Sequence, residues 1–161
     1  MPGIYGAVSL RPDRDPAPVA AAMGRLITHQ PWYETASWSH GAVSLGAVST
    51  NPAFRAERHL ATNRGVTLLL EGTALTVEGR HQPDDAPELA HRLIDVYLDR
   101  GDAFIDQVHG HFNLVIFDAN EQRLQVVNDH LGFAHMYWYC DDDVLLFAPE
   151  LKAFLGWRGF D

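Results

Sequence analysis

The sequence predicts an α+β protein with antiparallel sheets. Three observations lead to this class: strand patterns dominate the first half, one clear amphipathic helix follows them, and closely spaced strand patterns fill the last third. Strands joined only by turn residues pair as antiparallel neighbours, and the segregated helices cover the sheets. The pattern contains no internal repeat and no linker, so residues 1–161 are predicted to form a single domain.

The first half of the chain combines short strands with one helix. A buried strand is predicted over residues 4–10, before a turn rich in proline and aspartate, and good helix formers predict a helix over 19–27. Two β-like segments around Gly41 predict a hairpin. Two more strands are predicted on either side of a break at Glu71-Gly72. These four strand segments are residues 34–40, 42–49, 66–70 and 73–77.

The second half begins with the clearest helix, over residues 87–101. Leu89, Leu93, Val96 and Tyr97 recur there at helical spacing. Four strand patterns follow, separated by turn-forming residues, and a short helix ends the run. These segments are residues 111–118, 123–129, 135–140 and 144–148, and the helix 149–156.

Composition limits the partners and the compartment. The 161 residues carry a formal net charge of −9, so the chain lacks the basic surface that nucleic acids require. Cys140 is the single cysteine, which excludes an internal disulfide and favours a reducing, cytoplasmic compartment. No apolar run approaches the roughly 18 residues of a membrane span. The N-terminal stretch lacks the pattern of a signal peptide.

Three segments of the chain contain recognisable motifs. The start MPGIYGAVSL is similar to an MCGIxG motif, residues 87–118 resemble an acidic helix followed by an LxGxFAFxxxD strand, and residues 128–156 resemble an RDRxGxKPLYY…FASExKALL block. With these motifs the chain resembles class II glutamine amidotransferases, the N-terminal-nucleophile domains of the asparagine synthetase family. The resemblance implies a four-layer αββα sandwich, with two antiparallel sheets face to face between helices. Five strand residues are then expected between the sheets: Leu114, Ile116, Val126, Tyr137 and Phe147.

The nucleophile position of the family is occupied by Pro2. In active members, as the resemblance implies, a cysteine at residue 2 attacks the glutamine amide, and its own α-amine serves as the base. Proline has no nucleophilic side chain. An alternative is that the secondary amine of an N-terminal Pro2 acts as a base or forms an enamine, which would be a different enzyme in the same cleft.

The glutamine pocket is predicted to be degenerate at five further positions. The resemblance implies that an arginine of an HRGPD-like loop has become Gln30. It also implies that an NGE-like turn for the substrate and oxyanion corresponds to Glu71, Gly72 and Thr73, where a carboxylate replaces an amide donor and would repel an oxyanion. The family's aspartate before the acidic helix falls on Ala86, although a slip of one or two residues would bring an aspartate at 84 or 85 there. We therefore expect no glutaminase activity.

These losses predict an inactive amidotransferase-like domain that serves as scaffold of an ATP-dependent amide-bond-forming ligase. Relatives without the nucleophile include β-lactam synthetases and lasso-peptide macrolactam cyclases. The chain has no SGGxDS-like loop, so ATP and Mg²⁺ are expected only in a synthetase domain or subunit. That synthetase is the expected partner, and a precursor peptide and a second copy of the chain are further candidates. The alternative function is an autonomous module whose degenerate cleft binds a peptide or small ligand.

The histidine and cysteine side chains are expected to have structural rather than chemical roles. The histidine pairs His109/His111 and His130/His135 lack a convincing third ligand, so no metal site is predicted. Cys140 is expected to be a buried, inert thiol.

An apolar patch is expected near the end of the chain, where a synthetase would cover it. The alternative is that its last two aromatic residues fold back onto their own domain. The patch residues are Phe133, Phe154, Leu155, Trp157 and Phe160.

Overall fold

The computed structural model describes residues 3–50, 59–82 and 88–160. The described residues divide into two compact units. The first unit contains those of 1–52 and 135–161, and the second contains those of 53–134. Each unit has an antiparallel sheet and a hydrophobic core of its own.

Strands make up most of the regular structure in the described ranges. In chain order the elements are β1 (Gly3–Ser9), α1 (Ala17–Ile27), β2 (Glu34–His40), β3 (Val43–Ser49), β4 (Leu60–Asn63), β5 (Val66–Val77), β6 (Arg80–His81), α2 (Leu89–Arg100), a 3₁₀ helix (Gly101–Gln107), β7 (Val108–Asp118), β8 (Arg123–Asn128), β9 (Tyr137–Cys140), β10 (Val144–Ala148) and a second 3₁₀ helix (Leu151–Gly156).

The first unit is a five-stranded sheet with α1 packed on one face. The strands lie in the order β2-β3-β1-β10-β9, and each neighbouring pair is antiparallel. At the start of α1, a carboxylate oxygen of Asp15 accepts a hydrogen bond from the Ala17 N–H at 2.9 Å. The helix ends at Thr28, whose N–H and hydroxyl both donate to the Gly24 carbonyl oxygen. Side chains on one helical face enter the core: Ala20, Met23 and Ile27.

The second unit is a sheet of order β4-β5-β7-β8, with β6 paired to β5. Helix α2 covers one face of this sheet and buries an apolar stripe against it. Tyr97 of α2 meets Phe104 of the following 3₁₀ helix edge to face, with ring centroids 5.5 Å apart. The residues buried by α2 are Leu89, Ala90, Leu93, Ile94, Val96 and Tyr97.

The predicted α+β class with two antiparallel sheets is confirmed. The main helix and all four strands of the last third are present, with boundaries shifted by a few residues. The short closing helix is present as a 3₁₀ helix. None of the helices in the described ranges is long and apolar enough to cross a bilayer.

The predicted break at Glu71-Gly72 is wrong, because β5 runs through both residues. Strand β7 pairs with β5 residue by residue at this point, with Glu71 opposite Asn113 and Gly72 opposite Phe112. The irregularity comes later, as a shift of register between Thr73 and Thr76. A glycine inside a strand pattern thus marks a close approach of two backbones rather than a turn.

The five residues expected between the sheets divide into three groups. Leu114 and Ile116 are buried, but in the core formed with α2, so they point to the helix side of their sheet. Val126 and Tyr137 are 38% and 39% exposed, so the prediction is also wrong for them. Phe147 is buried, but it is not a member of the core beneath α1. The residues beside it on β10 are members of that core. Strand alternation predicts two faces but does not say which face meets a helix.

The expected apolar patch near the chain end is wrong for three of its five residues. Phe154 is 1% exposed, and Phe160 packs edge to face against both Phe154 and Tyr139. The indole N–H of Trp157 donates to a carboxylate oxygen of Asp141 at 2.8 Å. These aromatic side chains complete the core of the first unit, as the alternative predicted. The two residues that are exposed are Phe133 and Leu155.

Candidate functional site

Three of the six predicted pocket positions lie on one strand. Glu71, Gly72 and Thr73 are consecutive residues of β5 in the second unit. Gln30 is an exposed residue of the loop after α1 and belongs to the first unit. The other two positions, Pro2 and Ala86, lie outside the described residues.

Gly72 is required by the packing of β5 against β7. A Cβ atom at this position would lie 2.5 Å from the His111 carbonyl oxygen and 2.6 Å from the Phe112 Cβ. Both contacts are far closer than van der Waals separation, and the carbonyl belongs to the backbone, which cannot rotate away. Gly72 therefore has a structural role, whatever else the site does.

We expect Gly72→Ala to destabilise the protein by about 1–3 kcal/mol, the usual range for overpacking a well-filled site. The added methyl group must push β7 away from β5. Gly79→Ala measures the cost of backbone strain without a clash, because its φ is +73° and a Cβ there would meet no atom within 4 Å. Urea unfolding compares each variant with the original protein, and a Gly72→Ala variant of unchanged stability would contradict this explanation.

Polar side chains gather around Glu71 on the sheet face that points away from the α2 core. Glu71 lies opposite Asn113 of β7, and Thr73 lies opposite His111. Asp129 follows β8, and its N–H donates to the Phe112 carbonyl oxygen at 2.9 Å. We call Glu71, Thr73, His111, Asn113 and Asp129 the polar cluster.

The two carboxyl groups of the polar cluster have opposite pKa shifts. Burial raises the pKa of Glu71, and the nearby His111 only partly opposes this effect. Burial also acts to raise the pKa of Asp129, but backbone N–H groups outweigh it and the net pKa is lowered. One Asp129 oxygen accepts from the N–H of Leu131 at 2.9 Å and from that of Phe133 at 3.4 Å. The cluster thus holds one easily ionised acid and one that resists ionisation.

The pKa of Glu71 predicts a pH dependence of stability. Because the folded-state pKa is raised, the stabilising contribution of the proton is complete below the ordinary value of 4.5 and is lost as the pH rises through the raised pKa. We therefore expect Glu71→Gln to stabilise the protein at neutral pH and to have little effect at acidic pH. Thermal melts across this range measure the gain. The exposed Glu121→Gln serves as control, and a gain independent of pH would count against the burial effect.

Two buried acceptors of the polar cluster have no hydrogen-bond partner within the described residues: Asn113 Oδ1 and Asp129 Oδ2. Buried acceptors normally have a partner, so these atoms can receive N–H or O–H donors from a ligand. Sequence reasoning missed both residues. The available signals were an asparagine inside the apolar strand pattern of β7 and an aspartate at the end of β8.

The polar cluster is better suited to binding than to nucleophilic chemistry. Thr73 is its only hydroxyl, and no hydrogen bond joins that hydroxyl to His111 in the described part of the chain. A hydroxyl without an adjacent base is a weak nucleophile.

Histidine and cysteine residues outside the polar cluster do not form a site. The rings of His109 and His130 stack with centroids 5.6 Å apart. In the described ranges, no three His, Cys, Asp or Glu residues are arranged to hold a metal ion. Cys140 is exposed, so the expected burial of this thiol is wrong. It lies on β9, an edge strand of its sheet, where fewer neighbours cover side chains.

Fold and sequence together define the class of the chain, an α+β amidotransferase-type domain. A model of the glutamine amidotransferase domain family matches residues 76–156, which is half of the chain. The chain therefore belongs to this family, and its relationship to asparagine synthetase, predicted from the sequence, is confirmed. The match includes position 86 but begins after Glu71, Gly72 and Thr73.

Relatives with similar sequences include two fungal proteins and a bacterial one. Amidase chry2 of Gibberella zeae is 35% identical over 63 residues, 39% of this chain and 9% of the relative. Amidase chyE of Penicillium rubens is 36% identical over 63 residues, with the same shares. Asparagine synthetase [glutamine-hydrolyzing] 2 of Bacillus subtilis is 28% identical over 61 residues, 38% of this chain and 8% of the relative. The matched segment is thus under a tenth of each relative's length.

Proposed function

We propose that this chain is a glutamine amidotransferase domain that does not hydrolyse glutamine and serves as scaffold for an ATP-dependent amide-bond-forming ligase of the asparagine synthetase type. The observation that carries the proposal is the proline before Gly3-Ile4-Tyr5-Gly6, where the family motif has cysteine. Without a thiol or hydroxyl at this position, the acyl-enzyme of glutamine hydrolysis has no atom on which to form.

The position of Glu71 supports the loss of activity. By the resemblance, its carboxyl group lies at the strand position of an amide donor in the family. When ionised, it repels the negative charge that develops on the substrate oxygen. Gln30, at the position of the family's arginine, brings no positive charge. The chain therefore lacks three of the groups that, by the resemblance, would bind and activate glutamine.

The scaffold role is supported by the size of the relatives. In the asparagine synthetase and both amidases, the segment similar to this chain is a small part of a much longer protein. β-Lactam synthetases and lasso-peptide cyclases, which resemble this chain in lacking the nucleophile, use an internal amine in place of ammonia. ATP and Mg²⁺ then belong to a synthetase domain or subunit. We propose that the domain takes part in the synthesis of a macrolactam or a related amide in the cytoplasm.

A second candidate function is an autonomous binding module. It is favoured by the unpartnered acceptors of Asn113 and Asp129, which suit a ligand with N–H donors, such as a peptide. Titration of the chain with short peptides would detect such binding. Saturable binding by a chain that associates with no synthetase would favour this function over the scaffold.

The proposal is tested by incubating the purified chain with glutamine and by determining the intact mass and partners of the native protein. We expect ammonia release at the level of buffer, and a synthetase on the same polypeptide or in a stable complex with it. Ammonia release in proportion to the amount of protein would contradict the loss of activity. A native protein that contains this chain and associates with no synthetase would contradict the scaffold role.

A further inference from the structure

The first unit contains an open cleft of about 510 Å³, and none of the predicted pocket positions is among the residues that line it. It lies between α1, which contributes Gly24 and Arg25, and the edge strand β2, which contributes Thr35 and Ser37. Thr35 pairs with Val48, a residue of the core beneath α1, so the hydroxyl-bearing side chains of this strand share the helix-covered face. Because β2 is the edge strand, α1 leaves this strip of the sheet open.

A buried tyrosine hydroxyl lies at the base of the cleft. Tyr5 is 6% exposed, and it is one of the residues that line the cleft. A Cβ on Gly24 or Gly46 would lie 2.3 Å from this oxygen, so the two glycines make room for it. A mid-helix glycine destabilises a helix by about 1 kcal/mol relative to alanine. Packing alone would be satisfied by phenylalanine, which leaves the hydroxyl available for a ligand.

Arg25 is the only charged residue among the described residues that line the cleft, although the chain as a whole is strongly acidic. It is exposed, and no carboxylate of the described residues forms an ion pair with it. The cleft therefore offers a guanidinium, a buried phenol and the hydroxyls of two strand residues, with small side chains between them.

These groups fit a singly charged anion such as a carboxylate. A single guanidinium matches one negative charge and can bind a carboxylate through two parallel hydrogen bonds. Burial raises the pKa of Tyr5, so its hydroxyl keeps its proton and can donate to the same anion. A cleft of about 510 Å³ falls in the range of roughly 300–1,000 Å³ that small-molecule sites occupy.

We propose that this cleft binds a small carboxylate ligand, the size of an N-acylated amino acid, through Arg25 and the Tyr5 hydroxyl. The ligand body lies against Gly24 and the strand wall, and the hydroxyls of Thr35 and Ser37 accept or donate hydrogen bonds at its amide. This site is independent of the loss of glutaminase activity.

The test is a titration of the isotope-labelled chain with N-acetylalanine, followed through backbone amide signals. We expect saturable shifts at Gly24, Arg25 and Ser37. N-Acetylalaninamide should bind at least about tenfold more weakly, because it lacks the charge of a charge-assisted hydrogen bond. Inorganic phosphate should also bind more weakly, because it has no amide for Thr35 and Ser37 to contact. Absence of saturable shifts, or equal affinity for the neutral amide or for phosphate, would overturn the proposal.

Variants then assign the contacts. Arg25→Gln should weaken N-acetylalanine binding by about tenfold or more. Arg158→Gln removes the same charge from an exposed arginine of the same unit and should bind as the original chain does. Tyr5→Phe should also weaken N-acetylalanine binding, because it retains the ring and removes the hydroxyl. If this variant does not fold, the affinity of Arg25→Gln alone tests the site. Unchanged affinity in Arg25→Gln would refute the site.

Discussion

Replacing Pro2 by cysteine is expected to leave the chain without measurable glutamine hydrolysis. The substitution supplies the missing thiol, and removal of the initiator methionine would supply the base. It does not supply the arginine charge at Gln30 or the amide donor at Glu71. Each missing donor to a developing oxyanion lowers the rate by about 10²–10³-fold. Ammonia release by the Pro2→Cys variant therefore stays at background.

The control for this experiment is an active class II amidotransferase assayed under the same conditions. Intact mass must show that the introduced cysteine is N-terminal. Glu71→Asn added to Pro2→Cys is the matched second step, since it restores the family residue in the strand. Turnover by the single variant would show that the interpretation of Gln30 and Glu71 is wrong, and that only the nucleophile is missing.

Truncating Leu114 to alanine should destabilise the protein by about 2–5 kcal/mol. Leu114 is fully buried in the core between β7 and α2, where the removed atoms leave a cavity. Leu131→Ala makes the same chemical change at a side chain that is 76% exposed in the same unit. The control should remain within about 0.5 kcal/mol of the original protein. Denaturant unfolding compares them, and similar stabilities would show that Leu114 is not a core residue.

Locally encoded parts of the fold are predictable from the sequence. The spacing of Leu89, Leu93 and Tyr97 predicts α2 because a helix forms from contacts within one turn or two. The break at Glu71-Gly72 could not be rejected in the same way, since β5 is continuous only because β7 lies against it. The side of the sheet that Leu114 occupies likewise depends on where α2 packs, which no residue of β7 encodes.

The residues of the candidate site also divide into those that the sequence predicts and those that only the folded structure shows. Resemblance to the family predicts altered positions at Pro2, Gln30 and Glu71, since motif order is visible in the chain, and these stay predictions. The unpartnered buried acceptors of Asn113 and Asp129 appear only after folding, because burial and missing partners are properties of the packed sheet. The cleft at Tyr5 was equally out of reach, because its polar groups come from three separate elements.

The most direct test of the central claim follows the amide nitrogen of glutamine in the intact native protein, with the proposed synthetase, ATP and Mg²⁺ present. Glutamine carrying ¹⁵N in its side-chain amide is supplied together with the amine and acid substrates of the ligase. The scaffold function predicts amide formation that needs no glutamine, with no ¹⁵N in the product and none released as ammonia. Transfer of ¹⁵N into the product, or its release as ammonia by this chain, would show that the domain is a working glutaminase.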